Sequence, residues 1–152
     1  MKGYLTENGK ISIASTTTAG AAGTSAITSS AIDMAGYDGC LFIVPIGTIV
    51  SGAVTSLKAQ QSSDDGSSDD YSDIAGTSQT IADTDDDKLF YVDILYPQKR
   101  YLKLVVSRAT QNATIGGIQA IQYRKNSVSG SGITQGTNVA GEQFNYPAEG
   151  TA

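Results

Sequence analysis

The chain has 152 residues, only 16% of them charged, with a formal net charge of −5 and a pI near 4.5. That length holds one domain with tails, and the acidic balance argues against a general nucleic-acid or anionic-membrane binder, either of which needs a basic surface. Histidine is absent, which removes the Ser-His-Asp triad, the Cys-His pair, the usual zinc ligands and the commonest general base.

Helix-favouring Leu, Glu, Lys and Arg are scarce while glycine and β-branched residues are common, so composition predicts an all-β fold. Most acids lie between Asp64 and Asp87 and most bases between Lys88 and Lys125. Such asymmetry suits a protein that meets copies of itself or a charged partner, although loop solvation also places acids this way. Met1–Glu7 carries no apolar core of a secretory signal, and no stretch approaches the roughly 20 apolar residues of a membrane span. The expectation is synthesis as a soluble protein in a reducing cytoplasm. Cys40 is the one cysteine; followed by Leu41-Phe42-Ile43-Val44, it reads as a buried structural thiol and not a nucleophile.

In chain order, Tyr4–Ile13 carries Asn8-Gly9 between short half-apolar flanks, the signature of a small hairpin or an extended arm. Ala14–Ser30 is low-complexity and nearly uncharged, either a disordered linker or an arm that orders against a neighbour. Ala31–Met34 opens the folded part as a short strand, and Ala35–Gly39 is a turn. Cys40–Ile46 is an apolar run of strand length that should lie centrally with both faces covered, with Pro45 marking a bulge or an edge near its end. Ala53–Gln60 alternates as a half-exposed strand, and Gln61–Tyr71 is a solvated loop. Asp73–Gly76 and Gln79–Ala82 are short strand candidates, and Asp83–Asp87 is a turn.

Lys88–Arg108 reads as a long β-hairpin. Phe90, Val92, Ile94 and Tyr96 share one face of its first arm, and Leu102, Leu104 and Val106 share one face of its second. Pro97 with Gln98-Lys99-Arg100 breaks the run, and the parity of the two apolar sets favours a three- or five-residue loop. Ala113–Tyr123 is the last core strand, with a bulge at Gly116-Gly117 that shifts the inward register. The predicted architecture is a β-sandwich or jelly-roll-like antiparallel domain over residues 31–123, with an N-terminal arm over 1–30 and a C-terminal tail over 124–152.

Chemistry is sparse. Asp83, Asp85, Asp86 and Asp87 suggest a calcium loop, but the glycine and glutamate of the EF-hand pattern are missing, and solvated turns are the preferred reading. No phosphate-cradling or dinucleotide-binding glycine motif stands after a strand. Acids clustered in loops make poor glycosidase pairs. No catalytic, cofactor-binding or metal-ligating residue is assigned. The candidates for partner contact are the apolar anchors of the two arms, Tyr4, Leu5, Ile11, Ile13, Phe144 and Tyr146, and the basic tip Lys99-Arg100, which is either a grip for an acidic partner or simply solvated.

Ala31–Gly39, Leu57–Ser62 and Asp73–Thr77 resemble the small head proteins of tailed bacteriophages, as do Tyr96-Pro97…Arg100-Tyr101-Leu102, Ile118–Tyr123 and the closing Pro147–Ala152. The resemblance spans most of the chain from Ala31 and implies a non-enzymatic capsid decoration, or cement, protein. Such proteins are β-rich, often homotrimeric, and bind the major capsid protein outside the expanded shell at capsomer junctions, so the expected location is the virion surface. Another virion position, such as a head-fibre base or tail component, and a carbohydrate-binding β-sandwich remain alternatives. The latter needs exposed aromatics on a sheet face or beside a loop site.

Overall fold

The computed structural model describes residues 5–15, 21–124 and 139–152. One helical turn, α1 (Leu5–Asn8), is followed by thirteen strands among the described residues. The larger sheet holds β1 (Gly9–Ile13), β2 (Ala22–Gly23), β5 (Gly39–Ile49), β9 (Leu89–Leu95), β11 (Ala113–Ile115), β12 (Gln119–Tyr123) and β13 (Val139–Asn145). The second holds β3 (Ile27–Thr28), β4 (Ile32–Asp33), β6 (Val54–Ser62), β7 (Ser72–Asp73), β8 (Gln79–Ile81) and β10 (Tyr101–Ala109). Their inner faces close on one apolar core, giving the all-β sandwich that composition predicts.

β5 is the hub of the larger sheet. On one side it pairs with β9; on the other it pairs with β12 through Gly39–Ile43 and then with β11 at Ile46 and Ile49. The change of partner falls around Pro45, which has no N–H for a ladder. The Pro45 carbonyl instead accepts from Gly116 N at 2.7 Å, where an added Cβ would lie only 3.0 Å from the same oxygen. The Gly116-Gly117 break divides β11 from β12, and the inward set passes from Ala113 and Ile115 to Ile118, Ala120 and Gln122.

Lys88–Arg108 is not a hairpin. β9 pairs with β5 and β13, whereas β10 pairs with β6, β3 and β4 in the opposite sheet. Tyr96–Arg100 arches from one sheet to the other, and Tyr96 adopts φ +52° at the bend. An arch across a sandwich turns both even-numbered sets inward just as a hairpin does, so Phe90, Val92, Ile94, Leu102, Leu104 and Val106 are all buried.

Strands near both ends of the described chain join the sheets. β1, β2 and β3 pair with β12, β11 and β10, and Ala14 and Ile27 are buried. Asn8-Gly9 joins α1 to β1 and does not close a hairpin. β13 lies parallel to β9, while the other pairings among the described residues are antiparallel. Past β13, Ala148 and Thr151 accept from the amides of Ala75 and Gly76 at 2.9 and 3.1 Å, fastening the C-terminal segment beside the second sheet.

The core assignment is testable. Leu104→Ala, at a fully buried site, should lower unfolding free energy by about 2–5 kcal/mol. Val105→Ala, on the outer face of the same strand, should cost clearly less, both read as shifts of the denaturant midpoint at unchanged slope.

Candidate functional site

The two outer faces differ. On the second sheet, Lys103 pairs with Gln60 and Gln60 with Asp73, Val105 with Lys58, and Ser107 with Ser56, a polar surface suited to water. On the larger sheet, one cross-strand row reads Ile13, Gln119, Ile43, Tyr91, Gly141 and the next reads Ile11, Ile121, Leu41, Asp93, Gln143. Ile11 is 57% and Ile13 80% exposed, while Leu41, Ile43, Tyr91 and Ile121 are half-buried. Leu89, Tyr91, Leu41, Ile43 and Val139 line a groove of about 220 Å³ on this face. The apolar run from Cys40 is therefore covered on its even face and only partly on its odd face, unlike the doubly covered strand expected. Among the described residues no further layer packs on this face.

Within this band the Tyr123 hydroxyl donates to Asp93 Oδ1 at 2.6 Å. Burial raises the Asp93 carboxyl above the usual carboxylate range, partly offset by that hydrogen bond, and burial likewise raises the tyrosine. Cys40, on the inner face, is fully buried and its thiol is pushed up mainly by burial.

A second feature forms at the end of the sandwich where the arch crosses. β9 and β13 run parallel and each is followed by the same dipeptide, Tyr96-Pro97 and Tyr146-Pro147. Both tyrosines adopt left-handed backbone, φ +52° and +51°, at a cost of order 1–3 kcal/mol each. Tyr96 N donates to Asp38 O at 2.7 Å and Tyr146 N to Leu95 O at 3.0 Å, bonds that hold the bends. The rings stack with centroids 5.0 Å apart and planes at 30°. Together with Met34, Tyr37, Gln98 and Arg100 they line an open cleft of about 420 Å³.

The basic tip beside this cleft is internally matched. Arg100 Nε and Nη2 donate to the two carboxylate oxygens of Asp33 at 2.8 and 2.7 Å. Lys99 Nζ bridges Asp69 at 2.8 Å and Glu149 at 2.7 Å. The Arg100 hydrogen bond holds Asp33 at about 2, and that of Lys99 holds Asp69 at about 2. These partners hold both side chains in place, Lys99 half-buried and Arg100 exposed. Four further acids hold backbone: Asp83, Asp86 and Asp85 accept from the amides of Gly52, Ile49 and Ala82, and Asp64 caps Ser67, Ser68 and Asp69. Among the described residues no three carboxylate or thiol side chains converge as metal ligands would.

Of the expected contact residues, the structure brings Ile11 and Ile13 to the exposed edge of the apolar band and gathers Lys99, Arg100 and Tyr146 at the cleft. Phe144 packs against the protein's own core, on the side of β13 that faces inward with Ile94. Leu5 opens α1, and Tyr4 lies outside the described residues. Leu41, Ile43, Tyr91 and Ile121 escape the sequence reading, which expects both faces of Cys40–Ile46 to be covered and names no contact residue on the odd faces of the other two strands. The repeated Tyr-Pro dipeptide is the local signal for the cleft.

Two pH effects follow. A carboxyl depressed in the folded state contributes stability above its ordinary value that is lost as pH falls through the folded value. The Asp33–Arg100 and Asp69–Lys99 ties should therefore hold at neutral pH and release as the pH falls through about 2, seen as an upfield move of the two carboxyl carbons by NMR titration. Asp93 has the opposite sign, since burial favours its protonated form and its ionisation opposes folding as pH rises. Asp93→Asn keeps the acceptor for Tyr123 and should raise the melting temperature at pH 7, with the gain shrinking as the pH approaches 3.8. Comparisons of the chain with protein-family models, with curated proteins and with solved structures each return no match.

Proposed function

We propose that this chain is a non-enzymatic structural component of a tailed-bacteriophage virion, a decoration protein that binds the major capsid protein outside the expanded head at capsomer junctions and stabilises the shell. The observation that carries the reading is the apolar band on the outer face of the larger sheet, running from Ile11 and Ile13 through Ile121, Leu41 and Ile43 to Tyr91. An apolar-rich outer face, interrupted by Gln119 and Asp93, beside a polar one marks a surface that another protein covers. The resemblance of Ala31–Gly39, Leu57–Ser62 and Ile118–Tyr123 to small phage head proteins supplies the kind of partner. Homotrimer formation belongs to the same reading, and many modest contacts repeated over a lattice give a shell protein its hold through avidity.

Co-sedimentation with expanded shells lacking this protein tests the proposal. The full chain should bind saturably, and Ile13→Asp should weaken binding at least tenfold while the far-ultraviolet β spectrum is unchanged, because Ile13 is 80% exposed and its replacement leaves the core intact. Absence of binding by the folded full-length chain would remove the decoration role.

A further inference from the structure

The aromatic cleft at the arch end of the sandwich lies apart from the apolar band, and the shell-binding reading leaves it without a role. Its walls combine aromatic and apolar surface with polar groups, the Asp38 carboxylate among them. Tyr96 and Tyr146 stack on each other at 5.0 Å, so each has one ring face committed, and Tyr146 remains 63% exposed. Pro97 and Tyr37 add apolar surface, and Gln98 and Arg100 add planar hydrogen-bonding groups. The guanidinium is held flat by its two bonds to Asp33, and the Gln98 amide donates to the Tyr146 carbonyl at 3.4 Å.

Three features narrow the ligand. The cleft, at about 420 Å³, falls within the size of small-molecule sites and has an open mouth, so a chain longer than one unit could run out of it. The cations at its rim are neutralised, Arg100 by Asp33 and Lys99 by Asp69 and Glu149, which leaves no unmatched charge at the basic tip to recruit an anion. Two tyrosines are held in a backbone region that a bulky residue rarely occupies, and such outliers cluster where a side chain is being aimed. Exposed aromatic faces beside planar polar groups suit a ring with apolar C–H faces and a rim of hydroxyls.

We propose that this cleft binds a neutral carbohydrate, with one pyranose face resting on the exposed Tyr146 ring and hydroxyls hydrogen-bonded by Gln98 and Arg100. The site is independent of the shell-binding surface, so the two assignments stand or fall separately.

The test uses the full-length chain on a printed array of neutral and acidic oligosaccharides, with positives titrated by saturation-transfer NMR. Neutral glycans should be retained, and both Tyr146→Ala and Gln98→Ala should weaken them at least tenfold without altering the β spectrum or shell co-sedimentation. Retention of no neutral glycan, or undiminished binding by both variants, overturns the proposal. Preference for acidic glycans overturns the neutral assignment. A proline-rich peptide library run in parallel covers the other ligand that aromatic clefts accept; binding of peptides in place of sugars, lost in Tyr146→Ala, would also overturn it.

Discussion

The sandwich depends on how the backbone of β5 is satisfied. Eleven residues, Gly39–Ile49, serve three other strands, and none of these covers the whole length. A buried strand must place nearly every N–H and C=O, and Pro45 removes one donor in the middle of this one. The Gly116 amide bonds to the Pro45 carbonyl, and the break at Gly116-Gly117 lets β12 leave and β11 take over beyond the proline. A side chain at Gly116 would press on that carbonyl, so glycine there is a matter of close approach rather than of backbone angle.

From that hub the remaining order follows by alternation. Cys40, Phe42 and Val44 point inward, so Leu41 and Ile43 must point outward, and the ladders carry the same parity to Tyr91 on β9 and to Ile121 and Ile11 on β12 and β1. The apolar character of the outer face is thus a property of the register. The second sheet, with Lys58, Gln60 and Lys103 outward, shows the usual alternation of an antiparallel sheet that meets water.

Much of this was legible in the chain. Period-two runs located β6, β9 and β10 and the inward residues of the last two, a continuous apolar run located β5, and Gly116-Gly117 marked the register shift. Periodicity does not say whether two successive strands pair or arch over a core, because both arrangements turn the same set inward; hence the false hairpin at Lys88–Arg108. Short strands such as β2 and β3 have too few residues to show a period, and their place is set by distant partners, Ala113 and Val105 among them. The cleft shares this difficulty: Tyr96 and Tyr146 stack across fifty positions of sequence because β13 lies beside β9. The basic tip was visible as Lys99-Arg100, but its matching acids, Asp33, Asp69 and Glu149, come from three separate segments.

The pairing of β1 with β12 sets a timetable for the chain as it emerges from the ribosome. Ile11 meets Ile121 and Gly9 meets Tyr123, contacts separated by more than a hundred residues, and the Ala14 and Ser15 amides close on the Ile118 carbonyl. Non-local pairings of this kind wait on the closure of a long loop and fold slowly. Translation at about 5–20 residues per second leaves the first strand without its partner for several seconds or more. During that interval its isoleucines are an unpaired sticky edge, which leaves neighbouring nascent chains on one message open to association until β12 has emerged to cover it.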